Sequence, residues 1–174
     1  MMPRGDWSIR LARQEDAEAF HAVEEDAAEL LRNEPSLEGI PVLPSTSADD
    51  YRKVIAKGRC LVAMAADRVI GFASAGPVGR ELHLGELSVE RAHQRLGIGG
   101  TLLRALEIDA RNSGTRAITL NTYRDIPWNA PFYARHGFVE VENFEGRDHL
   151  AQSLEAAAEL GMPRERRCAM IKFL

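Results

Sequence analysis

The sequence predicts an α+β fold in which helices flank a mixed sheet. Apolar residues alternate with polar ones in several short segments, and in others they recur every three or four residues. The order is one strand, two helices, a run of hairpin strands, and then strand, helix, strand, helix and strand, which is typical of this class. The chain has 174 residues, of which 45% are hydrophobic. That length favours a single domain, which we assign to residues 1–174.

In the first third of the chain the spacing of apolar residues changes twice. Residues 7–12 alternate and predict a short strand, and an amphipathic helix follows and ends near Asn33. Three prolines within residues 34–47 predict a mobile loop. Residues 49–57 predict a short helix that is capped at Ser47 or nearby.

The rest of the chain divides into short strand segments and longer helical segments. Strands are predicted over residues 59–65, 69–75, 81–89, 117–122, 138–144 and 167–173. Helices are predicted over residues 99–112, from Pro127 or Trp128 to Gly137, and over residues 148–160. Residues 164–167 form a short basic cluster, which we interpret as a solvated turn before the last strand.

Composition excludes several classes of protein. The net charge is −4 and the pI about 5.8, which argues against non-specific nucleic-acid binding. No apolar run is long enough to span a membrane, and the first six residues lack the apolar core of a signal peptide, so we expect a cytoplasmic protein with no membrane partner. Cys60 and Cys168 lie in apolar strands without metal-ligand spacing, which predicts two buried free thiols and no metal. The composition leaves a homodimer open.

The most informative stretch is the turn from Gln94 to Thr101, which joins a strand to a helix. Gly97 and Gly99 let the backbone approach a ligand closely, and the following helix directs free N–H groups towards it. Such a turn is suited to an anion, most plausibly a phosphate. A Walker-A loop needs a lysine that is absent here, and a dinucleotide fingerprint needs a glycine where Leu102 stands, so both are disfavoured.

The order Gln-x-x-Gly-x-Gly after a strand resembles the acetyl-coenzyme A site of the GCN5-related N-acetyltransferase (GNAT) superfamily. Residues 128–138, which contain Asn129 and Tyr133 and end in Gly-Phe, resemble the second signature of that family. The resemblance extends from the first strand to Phe144 and gives no motif after Glu145. It implies a mixed, mostly antiparallel sheet in which the parallel strands 81–89 and 117–122 splay apart.

The resemblance also implies which residues hold the acyl donor, acetyl-coenzyme A. In the family the glycine turn holds the pyrophosphate, and the pantetheine arm pairs with the strand before the turn. The implied donor-binding residues are Leu87, Ser88, Val89, Gln94, Arg95, Leu96, Gly97, Ile98, Gly99, Gly100, Thr101 and Asn129. For Asn129, a plain helix N-cap is almost as good an interpretation.

Acetyl transfer to an amine also needs a general acid and a neutral nucleophile. The resemblance implies that Tyr133 protonates the leaving thiolate; the alternative is a tyrosine that only packs between helix and sheet. Glu86 is the first candidate for the base and His83 the second, and regular alternation puts their side chains on opposite faces of the strand unless a bulge intervenes. Glu24 and Glu25 rank third, and a water chain without a dedicated base stays open.

The sequence is therefore interpreted as an N-acetyltransferase that uses acetyl-coenzyme A and a primary amine of a small molecule or peptide. The loop of residues 34–47 and the first two helices are expected to shape the acceptor site. Three alternatives stay open: a non-catalytic acyl-coenzyme A sensor, an enzyme for another acyl donor, and an unrelated phosphate-binding protein. Trp128 and Phe132 are candidates for an acceptor pocket or for packing against the sheet.

Overall fold

The computed structural model describes residues 5–174; the first four residues, part of the segment considered for a signal peptide, lie outside it. The strands are β1 (Trp7–Leu11), β2 (Arg59–Ala65), β3 (Arg68–Val78), β4 (Glu81–Val89), β5 (Ala117–Tyr123), β6 (Val139–Glu140) and β7 (Arg167–Phe173). The helices are α1 (Ala17–Arg32), α2 (Ala48–Lys57), α3 (Ile98–Asn112), α4 (Ala130–Arg135) and α5 (Asp148–Glu159). Short 3₁₀ turns cover Gln14–Asp16, Pro35–Leu37, Arg91–His93 and Arg164–Arg166.

The strands form one sheet in the order β1-β2-β3-β4-β5-β7-β6. Strands β4 and β5 are parallel, and every other neighbouring pair is antiparallel. The parallel pair is in register only at Leu82 with Ile118 and at His83 with Thr119. Beyond these pairs the two strands separate. The predicted mixed sheet with a splayed parallel pair is therefore confirmed.

A β-bulge interrupts β4 just where the strands separate. Ser74 of β3 pairs with Glu86 while the next residue, Ala75, pairs with Leu84, so Gly85 is the extra residue. The bulge shifts the alternation by one position. Leu82 and Leu84 before it, and Leu87 and Val89 after it, all pack on one core cluster. His83 and Glu86 therefore share the other face, which is the exception to regular alternation that a bulge produces.

The core is divided by the sheet. One face packs on α3 through Ile98, Leu102, Leu103 and Leu106, all of them buried. The other face packs on α1 and α2, where Phe20 stacks on Phe72 with ring centroids 4.1 Å apart. Helix α5 covers β5 and β7 on the latter side through Leu150 and Leu154. Cys60 and Cys168 are buried free thiols, as predicted.

The helix predicted over residues 148–160 and the strand predicted over residues 167–173 are present as α5 and β7, whereas the strand before them differs from the expectation. Strand β7 is inserted between β5 and β6, with full pairing to β5 from Ala117–Phe173 to Tyr123–Arg167. The predicted strand over residues 138–144 is reduced to Val139–Glu140, because the chain then leaves the sheet edge to enter α5. In the part of the chain that the structure describes, no helix is both long and apolar enough to traverse a bilayer.

Candidate active site

A cavity of about 580 Å³ opens where β4 and β5 separate. Residues 84–89 of β4 and 120–123 of β5 form its floor, and Asn129 and Tyr133 border it near α4. The loop of residues 41–46 and the inner side of α5 form its other walls. A more open groove of about 660 Å³ lies at the opposite end of β4 and contains none of the candidate residues.

The glycine turn begins at Gln94, which lines this cavity, and it has an unusual backbone. Arg95 has φ 62° and Gly97 has φ 81°, so two residues of the turn adopt left-handed conformations. The left-handed conformation costs a residue other than glycine about 1–2 kcal/mol, so the backbone at Arg95 is strained. Strained turns whose successive N–H groups converge are typical of anion-binding sites. A Cβ added at Gly97 would meet no atom within 4 Å, so the space in front of the turn is open.

The backbone N–H groups of residues 95–100 form no hydrogen bond with any other described residue. The N–H of Thr101 is different, because it donates to the carbonyl of Gly97 over 3.0 Å as the first bond of α3. Its hydroxyl donates to the same carbonyl over 2.9 Å. Thr101 is therefore removed from the predicted set of free amides. Ile98 keeps its place there through its N–H, although its side chain is buried in the core.

Gln94 has a positioning contact within the turn. Its Nε2 donates to the carbonyl of Val89 over 2.9 Å, which fixes the start of the turn against the end of β4. Gly100 lies tightly against α4, since a Cβ there would be 2.8 Å from Nε2 of His136. The helix carrying the turn and the helix carrying Tyr133 are thus packed directly together.

The backbone of β4 offers donors inside the gap. Glu90 donates its N–H to the carbonyl of Ile70 on β3. Because alternate residues of a strand address alternate neighbours, the N–H groups of Leu87 and Val89 point to the gap. Ser88, which pairs with Phe72 on β3, points its backbone the other way, so its predicted pairing with a pantetheine arm is not available.

Tyr133 lies at the edge of the gap. Its ring packs on Phe132 and Phe138, with centroids 5.2 and 5.7 Å away, and its hydroxyl forms no hydrogen bond with residues 5–174. Burial, and then the charge of Glu86, raise the pKa of this phenol. The hydroxyl is therefore protonated at neutral pH and free to donate.

Glu86 is on the cavity floor, and Ser88 Oγ donates to its Oε1 over 2.5 Å. Burial, and then the negative charge of Glu24, raise the pKa of this carboxyl from 4.5 to about 7, while the Ser88 hydrogen bond acts in the opposite direction. A carboxyl with this pKa can gain and lose a proton near neutrality, as a general base must.

The other base candidates are less well placed. The His83 Nδ1 lies 3.1 Å from Thr119 Oγ1 and its ring packs edge-on against His149, away from the cavity lining. Burial lowers the pKa of His83 to about 4. Glu24 accepts hydrogen bonds from Tyr51 OH over 2.5 Å and from the N–H of Thr46 over 3.0 Å, so it fixes the loop to α1 and borders the cavity.

The loop predicted to be mobile is tied down by further contacts. Ser45 Oγ donates to Glu25 over 2.5 Å, and Nδ1 of His21 lies 2.8 Å from the carbonyl of Thr46. Glu25 is thereby engaged outside the cavity lining. The loop nevertheless shapes the cavity, since residues 41–46 form one wall.

Asn129 holds the N-cap position of α4 without capping it. Its Oδ1 accepts from Thr122 Oγ1 over 2.6 Å, which fixes the side chain at the lip of β5. Trp128 borders the cavity and is 38% exposed, whereas Phe132 packs against Gly99 and His136. Within residues 5–174, no three metal-binding side chains are grouped to hold an ion.

Sequence reasoning missed Arg167, which it interpreted as part of a solvated turn. Its guanidinium lies in the cavity wall, 4.9 Å from the ring centroid of Tyr123. One signal was available: residues 168–171 are all apolar, which indicates a strand covered on both faces, and Ala169 and Ile171 share the face of Arg167. Alternation places the arginine on the same inward face.

Residues 56–140 match the family model of the acetyltransferase (GNAT) domain. The N-acetyltransferase PaiA of Thermoplasma acidophilum, solved in complex with coenzyme A, is 18% identical with a TM-score of 0.70, covering 97% of this chain and 99% of its own. A GNAT family acetyltransferase from Brucella melitensis, solved with acetyl-CoA, is 26% identical over 76% of this chain and 82% of its own, with a TM-score of 0.58. N-acetylglutamate synthase from Neisseria gonorrhoeae, solved with coenzyme A and N-acetyl-glutamate, is 17% identical with a TM-score of 0.69, covering 97% of this chain and 35% of its own.

Proposed function

Since the chain belongs to the GNAT superfamily, we propose that it transfers an acetyl group from acetyl-coenzyme A to a primary amine. One observation carries the proposal. A row of free N–H groups in residues 95–100 leads to the gap between β4 and β5, and this gap ends at Tyr133 and Glu86. An extended donor with a diphosphate at one end and a thioester at the other matches this arrangement.

The turn supplies the binding site for the diphosphate. The free N–H groups of residues 95–100 lie at the N-terminus of α3, where the helix dipole adds partial positive charge. Charge-assisted hydrogen bonds of this kind are about twice as strong as neutral ones. Gln94 holds the turn in place, and the left-handed Arg95 and Gly97 give it its curvature.

The edge of β4 supplies the binding site for the pantetheine arm. Acetyl-coenzyme A supplies an activated acetyl group as a thioester when it is bound there. The N–H groups of Leu87 and Val89 point into the gap, where they can pair with the amides of the arm. One of them can also donate to the thioester oxygen as negative charge develops on it.

The side chains at the end of the gap divide the proton transfers. In the reaction the amine nitrogen bonds to the acetyl carbon while the carbon–sulfur bond breaks, the bonding pair leaving with the sulfur. Glu86, directly or through water, takes the proton that the amine loses. Tyr133 gives its proton to the thiolate and regains one from solvent. At pH 7 the Tyr133 hydroxyl is protonated, and about half of the Glu86 carboxyl groups are deprotonated and able to act as a base.

Two matched glycine variants test donor binding. Gly97 and Gly114 have φ 81° and 76°, and an added Cβ meets no atom within 4 Å at either position. Gly97→Ala and Gly114→Ala should therefore lose similar stability, about 1 kcal/mol each. Only Gly97→Ala places a methyl group in the diphosphate site, so we expect at least about tenfold weaker binding of coenzyme A by calorimetry.

Equal coenzyme A affinities for the two variants would contradict the site. Catalysis is tested separately, by following thiol release from acetyl-coenzyme A with a panel of primary amines. If the protein binds coenzyme A but no amine in the panel causes thiol release from acetyl-coenzyme A, the acyl-coenzyme A sensor would be favoured. Faster thiol release from a longer acyl donor than from acetyl-coenzyme A would favour a different acyltransferase.

A further inference from the structure

Arg167 begins β7 at the end of the cavity formed by β5, β7 and α5. It pairs in register with Tyr123, and its guanidinium carbon lies 4.9 Å from the Tyr123 ring centroid. Alternation puts its side chain on the face covered by α5, together with Ala169 and Ile171. The guanidinium therefore faces the cavity that Glu86 also lines.

This guanidinium has no anionic partner among residues 5–174. Its Nε is buried without a hydrogen bond, and burial lowers the pKa of the side chain. Two nearby arginines behave differently: Arg124 pairs with Glu140 and Arg166 pairs with Asp125. The Tyr123 ring is a cation–π partner of this guanidinium but carries no charge, and burying a guanidinium without an anion is costly. The position is explained if a ligand supplies the anion.

A second polar atom without a hydrogen-bond partner lies on the same face of the sheet, on the neighbouring strand β5. Asn121 donates from Nδ2 to the carbonyl of Leu150 over 3.0 Å, while its Oδ1 is buried without a partner. Asn121 also lines the cavity. Two residues that line the cavity therefore each contain a buried polar atom without a hydrogen-bond partner, and they lie two strand positions apart across the β5–β7 pair.

The charges of the cavity are separated along its length. Carboxyl groups of Glu24 and Glu86 are grouped near α1 and β4, and Arg167 lies beside β5 and β7. A ligand that spans the cavity would therefore have a basic group at one end and an acidic group at the other. The planar, forked guanidinium matches a carboxylate in particular.

Building on the acetyl transfer proposed above, we propose that the acceptor is a primary amine that also carries a carboxylate. Arg167 binds the carboxylate, and the amine lies at the opposite end beside Glu86. The acceptors are thus amino acids or molecules with the same pair of groups, and Arg167 is a specificity-determining residue.

The test compares acceptors that differ only in the carboxylate. A series of ω-amino carboxylates of increasing length is assayed for thiol release beside n-alkylamines of the same length. For the chain length that fits, we expect kcat/KM to be at least about tenfold higher with the carboxylate, as one charge-assisted contact implies. Carboxylic acids without an amine should inhibit competitively against the amine.

Variants then assign the preference to one side chain. Arg167→Met should abolish the preference while leaving the rate with alkylamines and the affinity for coenzyme A near wild type, and Arg167→Lys should retain part of it. Arg164→Met is the matched control, since Arg164 is exposed and its side chain donates only to the carbonyl of Arg167. This control should keep the full preference.

Equal kcat/KM values for carboxylates and alkylamines at every length would overturn the inference, and so would a preference that survives in folded Arg167→Met. If Arg167→Met does not fold, the wild-type acceptor series and the inhibition by carboxylic acids still test whether the cavity binds a carboxylate. Failure of the proposed function looks different, because neither coenzyme A binding nor thiol release would then be found with any amine. That result would overturn both proposals.

Discussion

If Glu86 is the general base, Glu86→Gln should change the pH dependence of acetyl transfer and not only its rate. The carboxyl is buried on the cavity floor beside Glu24, and its pKa is raised from 4.5 to about 7. A base works only when deprotonated, so its contribution is lost as the pH falls through this pKa. Glutamine has nearly the same shape but no titration.

The expected size of the pH effect on kcat/KM follows from the pKa of Glu86. With a value of about 7, roughly one carboxyl in eleven is deprotonated at pH 6 and about ten in eleven at pH 8. The contribution of Glu86 to kcat/KM should therefore rise about tenfold over these two pH units. With the ordinary carboxyl pKa of 4.5, the same interval would change it by only about 3%.

The assay must separate this titration from that of the acceptor amine. Thiol release is measured from pH 5.5 to 8.5 for the wild type and for Glu86→Gln with the same amine. The kcat/KM of the wild type is divided by that of Glu86→Gln at each pH. This ratio is independent of the titration of the amine, because the neutral fraction of the amine is equal in both reactions. This ratio should rise about tenfold between pH 6 and 8 and then level off. A ratio that stays flat would refute Glu86 as the base.

Two neighbouring substitutions should move the midpoint in opposite directions. The charge of Glu24 raises the pKa of Glu86, so Glu24→Gln should move the midpoint to lower pH. The hydrogen bond from Ser88 lowers that pKa, so Ser88→Ala should move the midpoint to higher pH. Movement of both variants in the same direction would contradict this account of the Glu86 environment.

Two further predictions concern the acid and the scaffold. Tyr133→Phe should lower kcat by about 10²–10⁴-fold with little change in the KM for acetyl-coenzyme A, because the ring packing stays and only the proton donor is lost. Steady-state kinetics measure this, and an unchanged kcat would remove Tyr133 from the mechanism. Leu154→Ala should lower the free energy of unfolding in urea by about 2–5 kcal/mol, because Leu154 is 1% exposed on the buried face of α5. A loss below about 1 kcal/mol would contradict the packing of α5 on the sheet.

Local patterns predicted most elements because each amphipathic segment records which of its faces is buried. The helix beginning at Ile98 and the strand of residues 81–89 are clear examples. The strand order was not readable in the same way. The apolar run of β7 indicates that both faces of the strand are covered but not which strands lie beside it, and only the pairing with β5 and β6 defines its position.

The candidate site was predictable where backbone conformation carries the function. Glycines at 97 and 99 indicated the turn, and the structure brings it next to the gap that Tyr133 and Glu86 border. The bulge at Gly85 was not visible in the sequence, and it reverses the relation between His83 and Glu86. Arg167 was missed because its neighbours in sequence are charged, while its environment is formed by β5 and α5, which are distant in the chain.

The interior position of β7 ties acceptor recognition to folding. The strand that carries Arg167 also joins β5 to the sheet edge, and α5 before it is both a wall of the cavity and the cover of a core cluster. Deleting about the last thirty residues would therefore remove an interior strand of the sheet and not a peripheral segment. Redirecting this protein to new amines should proceed by single side-chain exchanges on the concave side of α5, which keep the sheet whole.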